Sequence, residues 1–305
     1  MPSLKSIRTR IGSVKNTRKI TRAMKLVAAA RLRRAQEAIT AARPYTMTLT
    51  QVVSELVAVA GESAHPLFVK PAVAEGKKER VHILVLSSDR GLAGAFNTNV
   101  IKRVELLMRT ELANCEVTLL AIGKKANGYF ARRNANIGSF DAAPQSANAL
   151  QASRELATRI AADFLAGNVD RVIFVYNEFH SAISQVVQHK QLLPIVPEVV
   201  AAAKGDAAKG PSDSASGAGV DYLYEPGKTE LLARLAPLYV QIVLYRAILE
   251  SIASEFGSRM SSMESATKNA GEMISKLTLQ YNRARQASIT KELLEIIGGA
   301  EALKG

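Results

Sequence analysis

From Leu249 to Ser288 the chain repeats every seven residues. Leu249, Phe256, Met263, Ala270, Leu277 and Ala284 form one series, and Ala253, Met260, Thr267, Ile274, Tyr281 and Ser288 form the interleaved one. A spacing of 3.5 residues held over about five heptads is the signature of a left-handed coiled coil. An ordinary amphipathic helix lying on a globular core averages only about three turns. Pro237 precedes the repeat and is expected in the first helical turn, where its missing N–H costs nothing. From there to Ile297 lie about 60 residues, roughly 90 Å of helix at about 1.5 Å per residue. A seam of that length needs a partner of comparable length.

Only the N-terminal segment offers one. Leu4, Ile7, Ile11 and Val14 recur at spacings of three and four, and Ile20, Met24, Val27, Ala28, Leu32, Ala35 and Ile39 continue the stripe. The six-residue step from Val14 to Ile20 predicts a phase slip. Pro44 is expected to end the strongest part, with Leu49 to Ala60 as a further helical turn or a separate helix. Gly61 to Lys78 reads as a loop. The two ends of the chain therefore pair with each other, and a middle domain lets them return antiparallel.

That middle domain reads as α/β. "VHILVL" (81–86) is a continuous apolar run, as in a parallel strand buried on both faces, and "VTLLAI" (117–122) and "RVIFVY" (171–176) repeat it. "SQVVQHKQLLPI" (184–195) adds a fourth strand. Helical stretches lie between, near 97–112, 124–134 and 148–165. This alternation predicts a Rossmann-like sheet. The fold class is thus α/β, with an antiparallel coiled coil of the long terminal helices and a Rossmann-like domain inserted between them. Its parts are a coiled-coil helix over 1–60, the α/β domain over 75–200, a low-complexity flexible loop over 201–219 and a second coiled-coil helix over 228–305.

Charge is unevenly spread. The net charge is +13, and residues 1–43 hold twelve Lys or Arg against one acid, Glu37. The rest of the chain is close to neutral. A basic helix of this kind suits a nucleic-acid backbone, so a coiled-coil nucleic-acid binder is a competing reading, although no base-reading module accompanies it. No apolar run reaches the eighteen or so residues that cross a bilayer. The single Cys115 cannot form an internal disulfide. His65, His82, His180 and His189 show no ligand spacing, so no metal is expected.

"SSDRGLAGAFN" (87–97) runs from a strand into a helix, with Gly91 and Gly94 where a phosphate loop would place glycines. There is no GxGxxG and no GK[ST], so a tight strand-to-helix turn is the better reading and no cofactor is expected. The end of the chain is stranger. Arg283, Gln286 and Thr290 share a helix face, and Arg285 flanks it. Leu293, Leu294, Ile296 and Ile297 then make the helix apolar on more than one side just before it stops. A free tip should not be apolar all round, so the tip either folds back or enters an apolar socket on another protein.

Four stretches carry a resemblance that spans the chain: "RIGSVKNTRKITRAMKLVAAARLRRAQ", "SSDRGLAGAFN", "DYLYEP" and "SRMSSMESATKNAGEMISKLTLQYNRARQASITKELLEIIGGAEAL". They resemble the gamma subunits of bacterial rotary F-type ATP synthases. The two terminal stretches are specific, while the middle one alone would be weak. The resemblance implies a non-catalytic rotor shaft that couples rotation of the membrane c-ring to the conformational cycle of the catalytic beta subunits. Its implied partners are the alpha and beta subunits, the epsilon subunit and the c-ring, with no nucleic acid. The implied location is the cytoplasmic face of the bacterial inner membrane, held there through partners.

Carried over residue by residue, Met24 and Lys25 would pass the acidic loops of beta, and Arg259 lies in the matching "SRM" stretch. Arg285, Gln286 and Thr290 would catch beta higher on the shaft. Leu293, Leu294, Ile296 and Ile297 would form the tip in an apolar bearing. Tyr222, Tyr224 and Glu225 would belong to the foot, near epsilon and the c-ring. Ala93 and Ala95 stand where the family usually has Cys and Gly. The regulatory cysteine pair of plant members has no counterpart here.

Overall fold

The computed structural model describes residues 3–61, 65–71, 76–196 and 227–302. Within them the chain forms two compact units, one from Met1–Ala29 with Arg259–Gly305 and the other from Ala30–Ser258. Two long helices contribute to both: α1, Leu4–Ala60, and the C-terminal helix α5, Lys228–Ala302. The expected 201–219 loop lies outside the described residues.

The first unit is a helix pair. Thr21 Oγ1 lies 2.7 Å from Thr267 Oγ1, and Lys25 Nζ lies 2.6 Å from Glu264 Oε1. Four residues forward on α1 correspond to three backward on α5, so the helices are antiparallel. On α5 the non-exposed positions after Met263 are 266, 267, 270, 271, 274, 277, 281, 284 and 288. These include every heptad position named from the sequence over that span. On α1 the seam runs through Leu4, Ile7, Ile11, Val14, Thr21, Met24, Lys25 and Ala28.

The predicted phase slip is absent. Continuing by seven from Val14 lands on Thr21, which is 8% exposed, whereas Ile20 is 60% and Val27 55% exposed. A threonine is tolerated in the seam because its hydroxyl also bonds the Arg18 carbonyl at 3.1 Å on its own helix. Ile20 and Val27 therefore belong to the outer surface.

The second unit is a five-stranded sheet with helices. Its elements are β1 (Arg80–Leu86), α2 (Phe96–Arg109), β2 (Glu116–Ile122), α3 (Lys124–Ala131), β3 (Ile137–Asp141), α4 (Ala149–Leu165), β4 (Arg171–Phe179) and β5 (Gln185–Leu193). The strand order is β3-β2-β1-β4-β5. β1 pairs in parallel with β2 and β4, β2 with β3, and only β5 is antiparallel, joined to β4 as a hairpin. Val81, Ile83 and Val85 of β1, with Ile173 and Val175 of β4, face Val100, Val104 and Leu107 of α2 and Phe130 of α3. The alternate residues Leu84, Phe174 and Tyr176 point to the other face, all buried.

In this unit α5 buries Leu232, Ala236, Val240, Leu244, Ile248 and Ile252. A window of α5 reaches a mean hydropathy of 1.4, enough by composition for a membrane span, and this burial accounts for much of its apolar character. On α1 the residues Leu32, Ala35, Leu49, Val53 and Leu56 are buried. Both helices run through their prolines, Pro44 in α1 and Pro237 in α5. Pro237 lies well inside α5, which begins at Lys228, and not in its first turn. Packing outweighs the local penalty of about 3 kcal/mol, since Ala236, Tyr239 and Val240 beside Pro237 are all buried. The strand β3 was not foreseen. It is five residues long, on the sheet edge, and only half-buried, so it has no continuous apolar run.

Asp170 ties the start of β1 to the start of β4. Its carboxylate accepts from Arg80 N at 2.8 Å, Nε at 3.1 Å and Nη2 at 2.7 Å, and the side chain is 4% exposed. The Arg80 guanidinium holds this carboxyl below its ordinary value of 3.8. The folded state therefore gains stability from Asp170 above that ordinary value, and the gain is lost as pH falls through the lowered one. Asp170→Asn should cost about 2 kcal/mol at neutral pH, the range for hydrogen bonds to a charged group. It should also flatten the acid limb of the stability curve, as measured by denaturant midpoints between pH 2 and pH 6.

Candidate partner-binding surfaces

The glycine-bearing turn after β1 spends its polar groups internally. Ser88 N and Ser88 Oγ both bond Asn97 Oδ1, at 3.0 and 3.1 Å. Asp89 Oδ1 accepts from Lys124 N at 2.9 Å and Ala143 N at 3.3 Å, and so caps the start of α3. Ser87 Oγ donates to Ile122 O and accepts from Ala126 N. Gly94 (φ +53) and Leu92 (φ +63) make the sharp turn.

The crevice beyond the strand ends, where a Rossmann sheet would bind a dinucleotide, is closed. Leu86, Ser87 and Ile122 there meet Ile248, Ser251 and Ile252 of α5 around a cavity of about 20 Å³. That is room for about one water.

The exposed chemistry lies on the long helices. Lys25, 35% exposed at its side chain, is paired with Glu264, so its charge is matched within the coil. Met24 beside it is half-buried. Arg259 is buried at 7% exposure, a position sequence reasoning had placed on a partner surface. Lys15, Arg18, Lys19 and Arg22 are exposed on α1, around the apolar Ile20 and Val27. This mixed patch was missed because Ile20 and Val27 had been assigned to the seam.

Toward its end α5 loses its partner. At the observed register Leu4 falls opposite about residue 284, and burial stops at Ser288. Arg285, Gln286 and Thr290 are exposed. Ile289 is 49%, Leu293 53%, Leu294 64%, Ile296 68% and Ile297 62% exposed. The tip does not fold back, and four large apolar side chains stand in the open within five residues, with Ile289 one turn before them. Such a patch marks a docking surface. Tyr222, Tyr224 and Glu225 lie outside the described residues.

Comparison with known proteins gives one answer. A family model described as ATP synthase matches residues 3–303. An ATP synthase gamma chain of Anaeromyxobacter dehalogenans is 47% identical over the whole of both chains. Those of Sorangium cellulosum and Bdellovibrio bacteriovorus are 46% and 43% identical, again with both chains fully covered. Among solved structures, a chain of the central stalk and c-ring of Tetrahymena thermophila mitochondrial ATP synthase is 26% identical with a TM-score of 0.55, over 81% of this chain and 99% of that one. A chain of the Euglena gracilis mitochondrial ATP synthase shares the fold at a TM-score of 0.61 and 20% identity, over 98% of this chain and 94% of that one. With the paired terminal helices, the inserted sheet and near-full-length identity all in agreement, this chain belongs to the ATP synthase gamma chain family.

Proposed function

We propose that this chain is the central rotor shaft of a proton-translocating ATP synthase. It is a non-catalytic subunit that couples rotation of the c-ring to conformational cycling of the catalytic beta subunits. Near-half identity to bacterial gamma chains over the full length carries the reading. The helix pair supplies the shaft. The exposed apolar tip, Leu293 to Ile297, has the character of a bearing surface for the ring of alpha and beta subunits. The sheet unit, with Tyr222, Tyr224 and Glu225, is the foot that meets epsilon and the c-ring. The complex holds the chain at the cytoplasmic face of the bacterial inner membrane through its partner subunits. The nucleic-acid reading finds no support among the relatives, and Lys25 of the basic helix is already paired.

Met24, Lys25, Arg285, Gln286 and Thr290 are assigned to beta contacts. Arg259, being buried, acts through the packing of the shaft rather than by direct touch. Arg285, Gln286 and Thr290 sit where the seam ends, so they contribute little to the fold. A charge-assisted hydrogen bond in a desolvated contact is worth roughly 1.5–3 kcal/mol. Replacing all three by Ala should leave subunit content near normal and lower ATPase turnover several-fold. Purified complex, assayed for stoichiometry and rate together, is the test. A normal rate at normal content removes these residues from the beta contact, and loss of the complex makes them assembly residues. A tagged wild-type chain that fails to bring the two larger ATPase subunits with it would overturn the shaft reading itself.

A further inference from the structure

One turn of α5 is held by the tip of the β4–β5 hairpin in an unusually specific way. Ser254 Oγ donates to the carbonyl of buried Asn177 at 3.1 Å. One turn on, Ser258 Oγ donates to Gln185 Oε1 at 2.8 Å. The other end of the same amide, Gln185 Nε2, donates to Ser181 O and Ala182 O, both at 3.0 Å. The hairpin turn is itself closed by Ser181, whose Oγ accepts from Ile183 N at 3.3 Å and Ser184 N at 3.0 Å. Between the two serines stands Gly257. A Cβ there would sit 3.3 Å from Ala182 Cα and 3.3 Å from Phe179 Cε2. Helix and hairpin backbone thus approach closely enough that a side chain here would press the hairpin back by a few tenths of an ångström. On the neighbouring position Arg31 of α1 lies over the Phe256 ring at 5.4 Å.

The driving force of apolar burial is non-directional, so directional contacts define the rotation of a helix about its own axis beyond what side-chain packing gives. Hydrogen bonds are directional and weaken steeply with angle. Here three polar groups and a glycine fix the azimuth of one helical turn against a rigid turn of sheet. We infer that the β4–β5 hairpin is a torque clamp. Gln185 and Ser258 are positioning residues that stop α5 from twisting relative to the sheet under rotary load. The proposal rests on the shaft reading.

The test uses the assembled complex with the double variant Gln185→Leu, Ser258→Ala, and separately Gly257→Ala. A bead is fixed to the sheet unit and the ring of alpha and beta subunits is held on a surface. Angular fluctuations during catalytic pauses then report torsional stiffness. Stiffness is expected to fall at least twofold in the double variant. ATP hydrolysis at low load should stay within about 20% of wild type, and ATP synthesis against a high proton gradient should fall further than hydrolysis. Ser258→Thr, which keeps the hydroxyl, should restore stiffness when Gln185 is intact. Gly257→Ala checks the same point by pushing the hairpin away without removing a hydrogen bond, and should soften the rotor as well. Unchanged stiffness in an assembled, folded double variant overturns the clamp. So does an equal loss of hydrolysis and stiffness, which would mean a general structural defect. Absence of any rotation in the wild-type complex would instead overturn the shaft reading, so the two failures are separable.

Discussion

Leu277→Asp is expected to prevent the helix pair from forming a stable shaft. Leu277 is 7% exposed and sits in the seam with Ala270, Ile274 and Ala284 as heptad neighbours. An aspartate side chain is too short to carry its charge out of the seam. Burying it without a partner costs several kcal/mol, about 3–5 by comparison with broken buried pairs. That is a large share of the whole stability of a protein this size. Glu272, five residues earlier, is exposed, and Glu272→Ala should cost under about 0.5 kcal/mol. Thermal unfolding of the free chain and recovery of assembled complex measure both. Equal losses for the two variants would contradict the heptad assignment.

Gly123→Ala should be comparably damaging to the sheet unit, for a different reason. Gly123 joins β2 to α3 at φ +92, and a Cβ there would stand 2.3 Å from the backbone oxygen of Ser87. Backbone cannot yield as a side chain can. Ser87 N is bonded to Ile122 O at 2.8 Å, which pins the strand end that would have to move. Strain at the positive φ adds about 1–2 kcal/mol, and the collision should bring the total to about 4 kcal/mol or more. Gly167 is the control. It has φ +70 with nothing within 4 Å of a Cβ, so Gly167→Ala carries the strain alone and should cost about 1–2 kcal/mol. Chemical unfolding of the two variants side by side reads the difference. Similar costs would show that the close approach at Ser87 is readily relieved.

The elements most legible in the sequence were those with long or continuous patterns. The heptads from Met263 to Ser288 reappear position by position, and the apolar runs of β1, β2 and β4 are strands as written. Three things were not legible. The seam position Thr21 was passed over because Ile20 beside it is more apolar, yet register and not hydropathy chooses the position. Pro44 was expected to end its helix and Pro237 to sit in a first turn, roles that local chemistry favours and packing overrides. The edge strand β3 has no apolar run to announce it. At the candidate surfaces the apolar tip was visible because four large side chains cluster without a polar face. The burial of Arg259 was not, since a charged residue at a seam flank reads as exposed until its neighbours are placed. The hairpin clamp was invisible because Gln185 lies 73 residues before Ser258 and its neighbour Gly257, and each is individually unremarkable.

The end of α5 outlasts its seam by about a dozen residues. A helix of that length is marginal in water when nothing packs against it. It is propagated from the coil below, so it needs no new nucleus, but each further turn is held by backbone bonds and exposed i,i+4 pairs such as Lys291–Glu295 at 3.6 Å, which are worth little in water. Its amides should therefore exchange fast in the free chain and slowly once a socket encloses Leu293 to Ile297. On that proposal the tip would behave as a tenon that hardens in its mortise. If the tip is the bearing proposed above, part of the binding energy there would be consumed in ordering the helix, which would keep the grip weak enough for it to turn.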